Sequence, residues 1–156
     1  SSGNVKLNIE KINISELVKQ TTGEFEDKFK EKNLDIITSF PEEMIYINAD
    51  NRYMYRIIEN LFSNISKYAL ENSRVYIDVK SENNIVKIAI KNISKDKLNI
   101  SADELMQRFV RGDKSRTTEG SGLGISIAKS LTEVQKGKFN LQIDGDLFKV
   151  EIEFEC

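Results

Sequence analysis

Between Asp50 and Ala69 the apolar residues Met54, Ile57, Ile58, Leu61, Phe62, Ile65 and Ala69 recur at helical spacing behind a good N-cap, Asp50. At about 100° per residue they share one broad face, which predicts a buried helix. Asn60, Asn64 and Lys67 follow at i, i+4 and i+7, a polar stripe along the shoulder of that face. Glu and Lys would suit a solvated surface better, because Asn is a poor helix former, so the stripe reads either as a site or as satisfied amides beside a core.

The other elements follow from the same patterning. Val5 to Ile9 alternates as a short strand. Asn13 and Glu16 have capping-box spacing, opening a helix to about Glu31 with Leu17, Val18, Phe25 and Phe29 inward and Gly23 as a weak point. Leu34 to Phe40 and Met44 to Ile47 read as strands joined at a turn by Pro41, the only proline. Arg74 to Lys80 and Ile85 to Lys91 form a predicted hairpin around Glu82-Asn83-Asn84, and Phe139 to Ile143 and Leu147 to Phe154 a last pair across Asp144-Gly145-Asp146. Gly122 to Lys136 reads as a third long helix, with Leu123, Ile127, Leu131 and Val134 buried and Gly137 as its stop. The order predicts an α+β fold, a two-layer sandwich whose mixed, largely antiparallel sheet carries the three long helices on one face.

From Asn92 to Gly120 the patterning lapses apart from a short helix capped by Ser101 and running through Leu105 and Phe109. A connection of that length is usually functional. It ends in the basic run Arg111 to Thr118 and then Gly120-Ser121-Gly122-Leu123-Gly124, which opens the third helix. A G-x-G-x-G match arises by chance in about 5% of chains this long, so placement matters more than occurrence. Glycines admit a ligand close to the backbone, and free N–H groups at a helix start favour phosphate. The spacing is neither a Walker loop nor the dinucleotide fingerprint.

Composition narrows the chemistry. The chain of 156 residues is read as one domain, 39% apolar and 31% charged, with no apolar run long enough for a membrane span or signal peptide. A net charge of −2 gives no reason to expect nucleic acid. One cysteine, Cys156, excludes an internal disulfide and suggests a reducing compartment. The absence of histidine removes Ser-His-Asp triads, histidine acid–base chemistry and histidine-bound metals. Ser1-Ser2-Gly3 reads as a cloning remnant, so the chain is expected to be a piece of a longer protein.

With these motifs in this order, nearly the whole chain resembles the ATP-binding domain of sensor histidine kinases, within the gyrase, heat-shock-90, histidine-kinase and MutL ATPases. Asn60 to Tyr68 matches the N box. The resemblance implies that Asn64 ligates Mg²⁺, that Asn60 faces the phosphates, that Lys67 neutralises them and that Tyr68 lies beside the nucleotide. Leu105 to Arg111 matches the F box, with Phe109 anchoring an ATP lid over about 92–120 and Arg111 and Arg116 reaching the terminal phosphate. Gly120, Gly122, Leu123 and Gly124 match the G2 box, whose backbone wraps the triphosphate. Asn60, Lys67 and Arg111 are thereby expected to bear on catalysis.

The G1 box departs from the family's D-x-G-x-G: here Asn92-Ile93-Ser94-Lys95-Asp96-Lys97 carries no glycine, and Asn92 stands where a carboxylate normally accepts from adenine. In hydrolysing relatives a glutamate stands where Asn60 does, which argues for phosphotransfer over hydrolysis. The implied function is presentation of the γ-phosphate of MgATP to a histidine on a dimerisation domain absent from this chain, upstream of a response regulator. The fragment is expected to be monomeric and cytoplasmic, without membrane contact, below a membrane-anchored receptor. An anti-sigma-factor-type serine kinase of the same superfamily and a degenerate nucleotide-binding module remain the rival readings.

Overall fold

The computed structural model describes residues 6–98, 100–111 and 123–156, the side chains of 109–111 and 123 excepted. The chain runs β1 (Ile9–Asn13), α1 (Ile14–Glu24), α2 (Glu26–Glu31), β2 (Asp35–Ser39), β3 (Tyr46–Asp50), α3 (Asn51–Tyr68), β4 (Arg74–Glu82), β5 (Ile85–Ile93), α4 (Ala102–Arg111), α5 (Leu123–Val134), β6 (Lys138–Asp144) and β7 (Leu147–Glu155).

Five strands make one mixed sheet in the order β2-β4-β5-β7-β6, in which only β2 and β4 are parallel. A parallel pair requires a crossover, and α3 supplies it. Alternation along β4, β5 and β7 buries Val75, Ile77 and Val79, then Val86, Ile88 and Ile90, then Phe148, Val150, Ile152 and Phe154. Their other face stays half exposed, so the helices cover one side, as the patterning predicts. Asn83 and Asn84 take the β4–β5 turn at φ 53° and 65°, the left-handed pair that a two-residue hairpin needs.

The first strand is displaced from its expected position. It forms at Ile9–Asn13 and pairs antiparallel with β3, from Ile9 opposite Asp50 to Asn13 opposite Tyr46. The two strands around Pro41 therefore part company, β2 joining the main sheet and β3 a separate two-stranded one. Propensity marked both as strands, but partners are chosen by long-range packing.

The first helix, expected unbroken to Glu31, breaks at Phe25. Thr21 and Thr22 turn their hydroxyls back onto the carbonyls of Leu17 and Val18, at 2.8 and 2.7 Å, which loosens the turn around Gly23. The break lets Phe25, Phe29 and Phe62 pack mutually, each pair of centroids 5.7 Å apart.

The third long helix buries Ile125, Ala128 and Thr132, with Gln135 buried just past its end, whereas Val134 is 41% exposed and Ile127 and Leu131 only half-buried. The expected stripe is thus rotated, because α5 packs closely on α3 and small or hydrogen-bonded residues fill that seam. Thr132 bonds Ala128 O, and Gln135 accepts from Asp50 N at 2.7 Å. The stop also differs: Lys136 takes the left-handed turn at φ 66°, and a Cβ on Gly137 would come within 2.6 Å of the Phe154 ring. Gly137 is there for space.

α3 behaves as its pattern predicts, with Met54, Ile57, Ile58, Leu61, Phe62, Ile65 and Ala69 all buried. Among the described residues no helix is long and apolar enough to cross a membrane.

Asp50, 1% exposed, caps α3 by accepting from Arg52 N and Tyr53 N, and it also accepts from Asn8 N and the Arg52 guanidinium. Burial alone would raise its pKa, but these donors outweigh it and bring the carboxyl down to about 2. A carboxylate depressed on folding stabilises above its unfolded pKa of about 3.9, and that contribution disappears as pH falls through the folded value. Asp50→Ala should therefore lose about 2–3 kcal/mol at pH 7, and far less at pH 2, as read by urea unfolding at both pH values.

Candidate functional site

The end of α3 and the end of β5 are stitched together by backbone. Leu70 N donates to Ile93 O at 2.8 Å and Lys95 N to Tyr68 O at 2.9 Å, an isolated bridge between Ala69 and Ser94. Ser94 N in turn donates to Asp146 O, and Asp96 N to Ser94 Oγ at 3.2 Å. Two stretches about twenty-five residues apart are thereby held side by side.

Above this junction lies an open hollow of about 590 Å³, mouth included, lined by Asn64, Tyr68, Asn92, Ser94, Asp96, Leu98, Leu105 and Phe148. Asn64 and Tyr68 come from the last turns of α3, one turn apart and so on one side of the helix. Asn92 and Phe148 are directly opposed across β5 and β7. Leu105 comes from α4, whose first turn is capped by Ser101 Oγ accepting from Glu104 N at 3.1 Å.

The hollow holds unsatisfied polarity. The Tyr68 hydroxyl is buried without a hydrogen-bond partner, and the carboxamides of Asn64 and Asn92 make no hydrogen bond with any described residue. Buried polar groups are almost always paired, so orphaned ones lining a cavity point to a ligand that pairs them.

Asn60 sits elsewhere, against the first turn of α5: a Cβ on Gly124 would lie 3.2 Å from its Oδ1, and its Nδ2 is buried and unpartnered. Lys67 is half-buried and makes no ion pair with a described residue. The backbones of Phe109 and Arg111 belong to α4 and that of Leu123 opens α5, but their side chains, with all of Arg116, Gly120 and Gly122, lie outside the described residues.

Ser94, Asp96, Leu98, Leu105 and Phe148 had no assigned place in such a cavity. Leu98 and Leu105, isolated apolar residues in a polar stretch, were the available signal. Lys32 had none: its ammonium reaches 35 residues along the chain to donate to Lys67 O at 2.8 Å, tying down the end of α3. Burial pushes the Lys32 pKa down, with Lys95 adding to the effect.

Among the described residues no three acidic, cysteine or histidine side chains could hold a metal by themselves. The Asn64 oxygen nevertheless fits magnesium arriving with a polyphosphate, because Mg²⁺ takes few protein ligands and fills its octahedron from phosphate and water.

Residues 49–155 match the model of the histidine kinase-, DNA gyrase B- and HSP90-like ATPases. The chain belongs to that family. It is 30% identical over 112 residues to the sensor histidine kinase WalK of Bacillus subtilis, covering 69% of this chain and 18% of WalK. It is 26% identical to the sensor histidine kinase RppB of Synechocystis, covering 89% of this chain and 32% of RppB. It thus spans less than a third of the length of these relatives. The nucleotide-free catalytic domain of histidine kinase ThkA superposes with a TM-score of 0.81 at 21% identity, covering 95% of each chain. Acinetobacter baumannii AdeS superposes at 0.77 and 16% identity, covering 97% of this chain and 68% of that one. The fold is that of histidine kinase catalytic domains, and the ATPase family implies ATP as the ligand.

Lys32→Met should remove a charge-assisted bond from the end of α3 and cost about 1–3 kcal/mol. Urea unfolding measures the loss, and amide exchange at Ala69 and Leu70 should rise more than at Met54.

Proposed function

We propose that this chain is the catalytic segment of a two-component sensor kinase, binding MgATP in the hollow and offering its γ-phosphate to a histidine on another segment. What carries the reading is one hollow of an ATPase-family fold lined by the buried, unpartnered Tyr68 hydroxyl and by the Asn64 and Asn92 amides, which hydrogen-bond no described residue. The apolar walls formed by Leu98, Leu105 and Phe148 suit a flat heterocycle. Asn64 would hold the magnesium, whose contribution is to neutralise charge on the phosphate oxygens.

The remaining roles concern positioning and charge. Lys67, free of any ion pair with a described residue, would neutralise phosphate. Phe109 would seat the lid, Arg111 and Arg116 would reach the terminal phosphate, and the backbone of Gly120, Gly122, Leu123 and Gly124 would wrap the triphosphate. Asn60 bears on the choice of reaction, because an amide has no useful basicity to activate water. The nucleophile is then the partner's imidazole. This chain, having no histidine, cannot be its own acceptor.

A response regulator would receive the phosphoryl group next, in line with the solved complex of ThkA with its regulator TrrA. The full protein would be anchored in a membrane with this domain in the cytoplasm, and the isolated segment would be monomeric.

Asn64→Ala should abolish magnesium-dependent nucleotide binding in calorimetry while leaving the unfolding curve in place. Retained binding removes the metal assignment. For the reaction itself, the chain is incubated with MgATP and a purified histidine-containing dimerisation domain, and the phosphoprotein is tested in acid. An acid-labile product is expected. Acid-stable phosphoserine would instead favour a serine kinase of the same superfamily, and no transfer a nucleotide-binding module.

A further inference from the structure

Asn92 is the most buried polar side chain lining the hollow, at 3% exposure, yet no described residue hydrogen-bonds its carboxamide. Strand alternation sets it on the face of Val86, Ile88 and Ile90, toward the helices. Its cross-strand neighbours are Val75 and Phe148, neither able to donate or accept. No described residue therefore fixes which end of the amide, C=O or NH₂, faces the cavity.

The other described polar side chains of the hollow are adaptable too. The Tyr68 hydroxyl and the Asn64 amide can each donate or accept, Ser94 Oγ accepts from Asp96 N and keeps its own O–H and a lone pair, and the Asp96 carboxylate belongs to an exposed residue where water competes with it. A site that discriminates between bases does so by leaving the wrong base facing a buried group it cannot pair. Among the described side chains that line the hollow, no buried one is of that kind.

Resting on the nucleotide reading above, we infer that Asn92 makes this a purine site that does not select adenine. Its amide accepts from a 6-amino group, or turns over and donates to a 6-oxo group, so that ATP, GTP and ITP are held alike. A carboxylate at the same position could only accept, and would reject the 6-oxo purines.

Calorimetry on the unsubstituted chain with MgATP, MgGTP and MgITP tests this. ITP isolates the six-position, because it lacks the 2-amino group of guanine. Dissociation constants within about threefold of one another are expected, whereas Asn92→Asp should weaken GTP and ITP about tenfold or more relative to ATP. Asp96→Asn should leave the ratio unchanged. ATP binding without ITP binding overturns the inference and spares the nucleotide site, while failure of all three nucleotides overturns both. Equal binding that Asn92→Asp does not alter, or that Asp96→Asn does, removes Asn92 as the determinant. Should Asn92→Asp fail to fold, the ATP-to-ITP ratio of the unsubstituted chain decides.

Discussion

The short backbone bridge between the end of α3 and the end of β5 is the constraint on which the hollow depends. Helix and strand each have ample reason to form by themselves, but their ends need not meet. Two hydrogen bonds, Leu70 N to Ile93 O and Lys95 N to Tyr68 O, bring Tyr68 and Asn64 onto the same hollow as Asn92 and Ser94. Lys32 reinforces that end from a third segment through the Lys67 carbonyl. At the opposite end, Asp50 and Gln135 lock the start of α3 to α5. A helix buried along its length and fixed at both ends is a rigid platform, and polar groups on its shoulder keep their positions without a ligand.

Rigidity explains how orphaned groups persist. An unpaired buried hydroxyl or amide is costly, and a flexible segment would rearrange to pair it or expose it to water. Here the surrounding core is already fixed by the Phe25, Phe29 and Phe62 cluster and by the alternating aliphatic face of the sheet. At Tyr68 that cost falls on the wall of the hollow, where a ligand can relieve it. The same logic separates Asn60 from Asn64. They are one turn apart, yet one meets the first turn of α5 and the other the open hollow, so their surroundings differ.

Much of this was legible from residue order. The apolar period from Met54 to Ala69, the Asp50 cap, the Asn83-Asn84 turn and the amide stripe with its glycine-opened helix each rest on local rules of spacing and stereochemistry, and a local rule needs no knowledge of distant partners. They sufficed for the fold class, and the resemblance they support singled out Asn64, Tyr68 and Asn92, which line one hollow. Strand pairing was different. β2 and β3 look alike in sequence but join different sheets, because the choice is made by what packs against them. The buried face of α5 likewise escaped hydropathy, since a tight helix–helix seam rewards Ala128, Thr132 and Gln135 over larger apolar residues.

The sequence by itself determined which segments fold and which residue types could meet phosphate, magnesium and base, because these follow from side-chain chemistry and short-range spacing. Only the tertiary structure decided which of those residues share a cavity, brought Lys32, Leu98 and Phe148 into the account, and left the Asn92 amide without a partner among the described residues. Those outcomes depend on contacts between residues far apart in the chain, where packing and desolvation are settled jointly and no single stretch carries the answer.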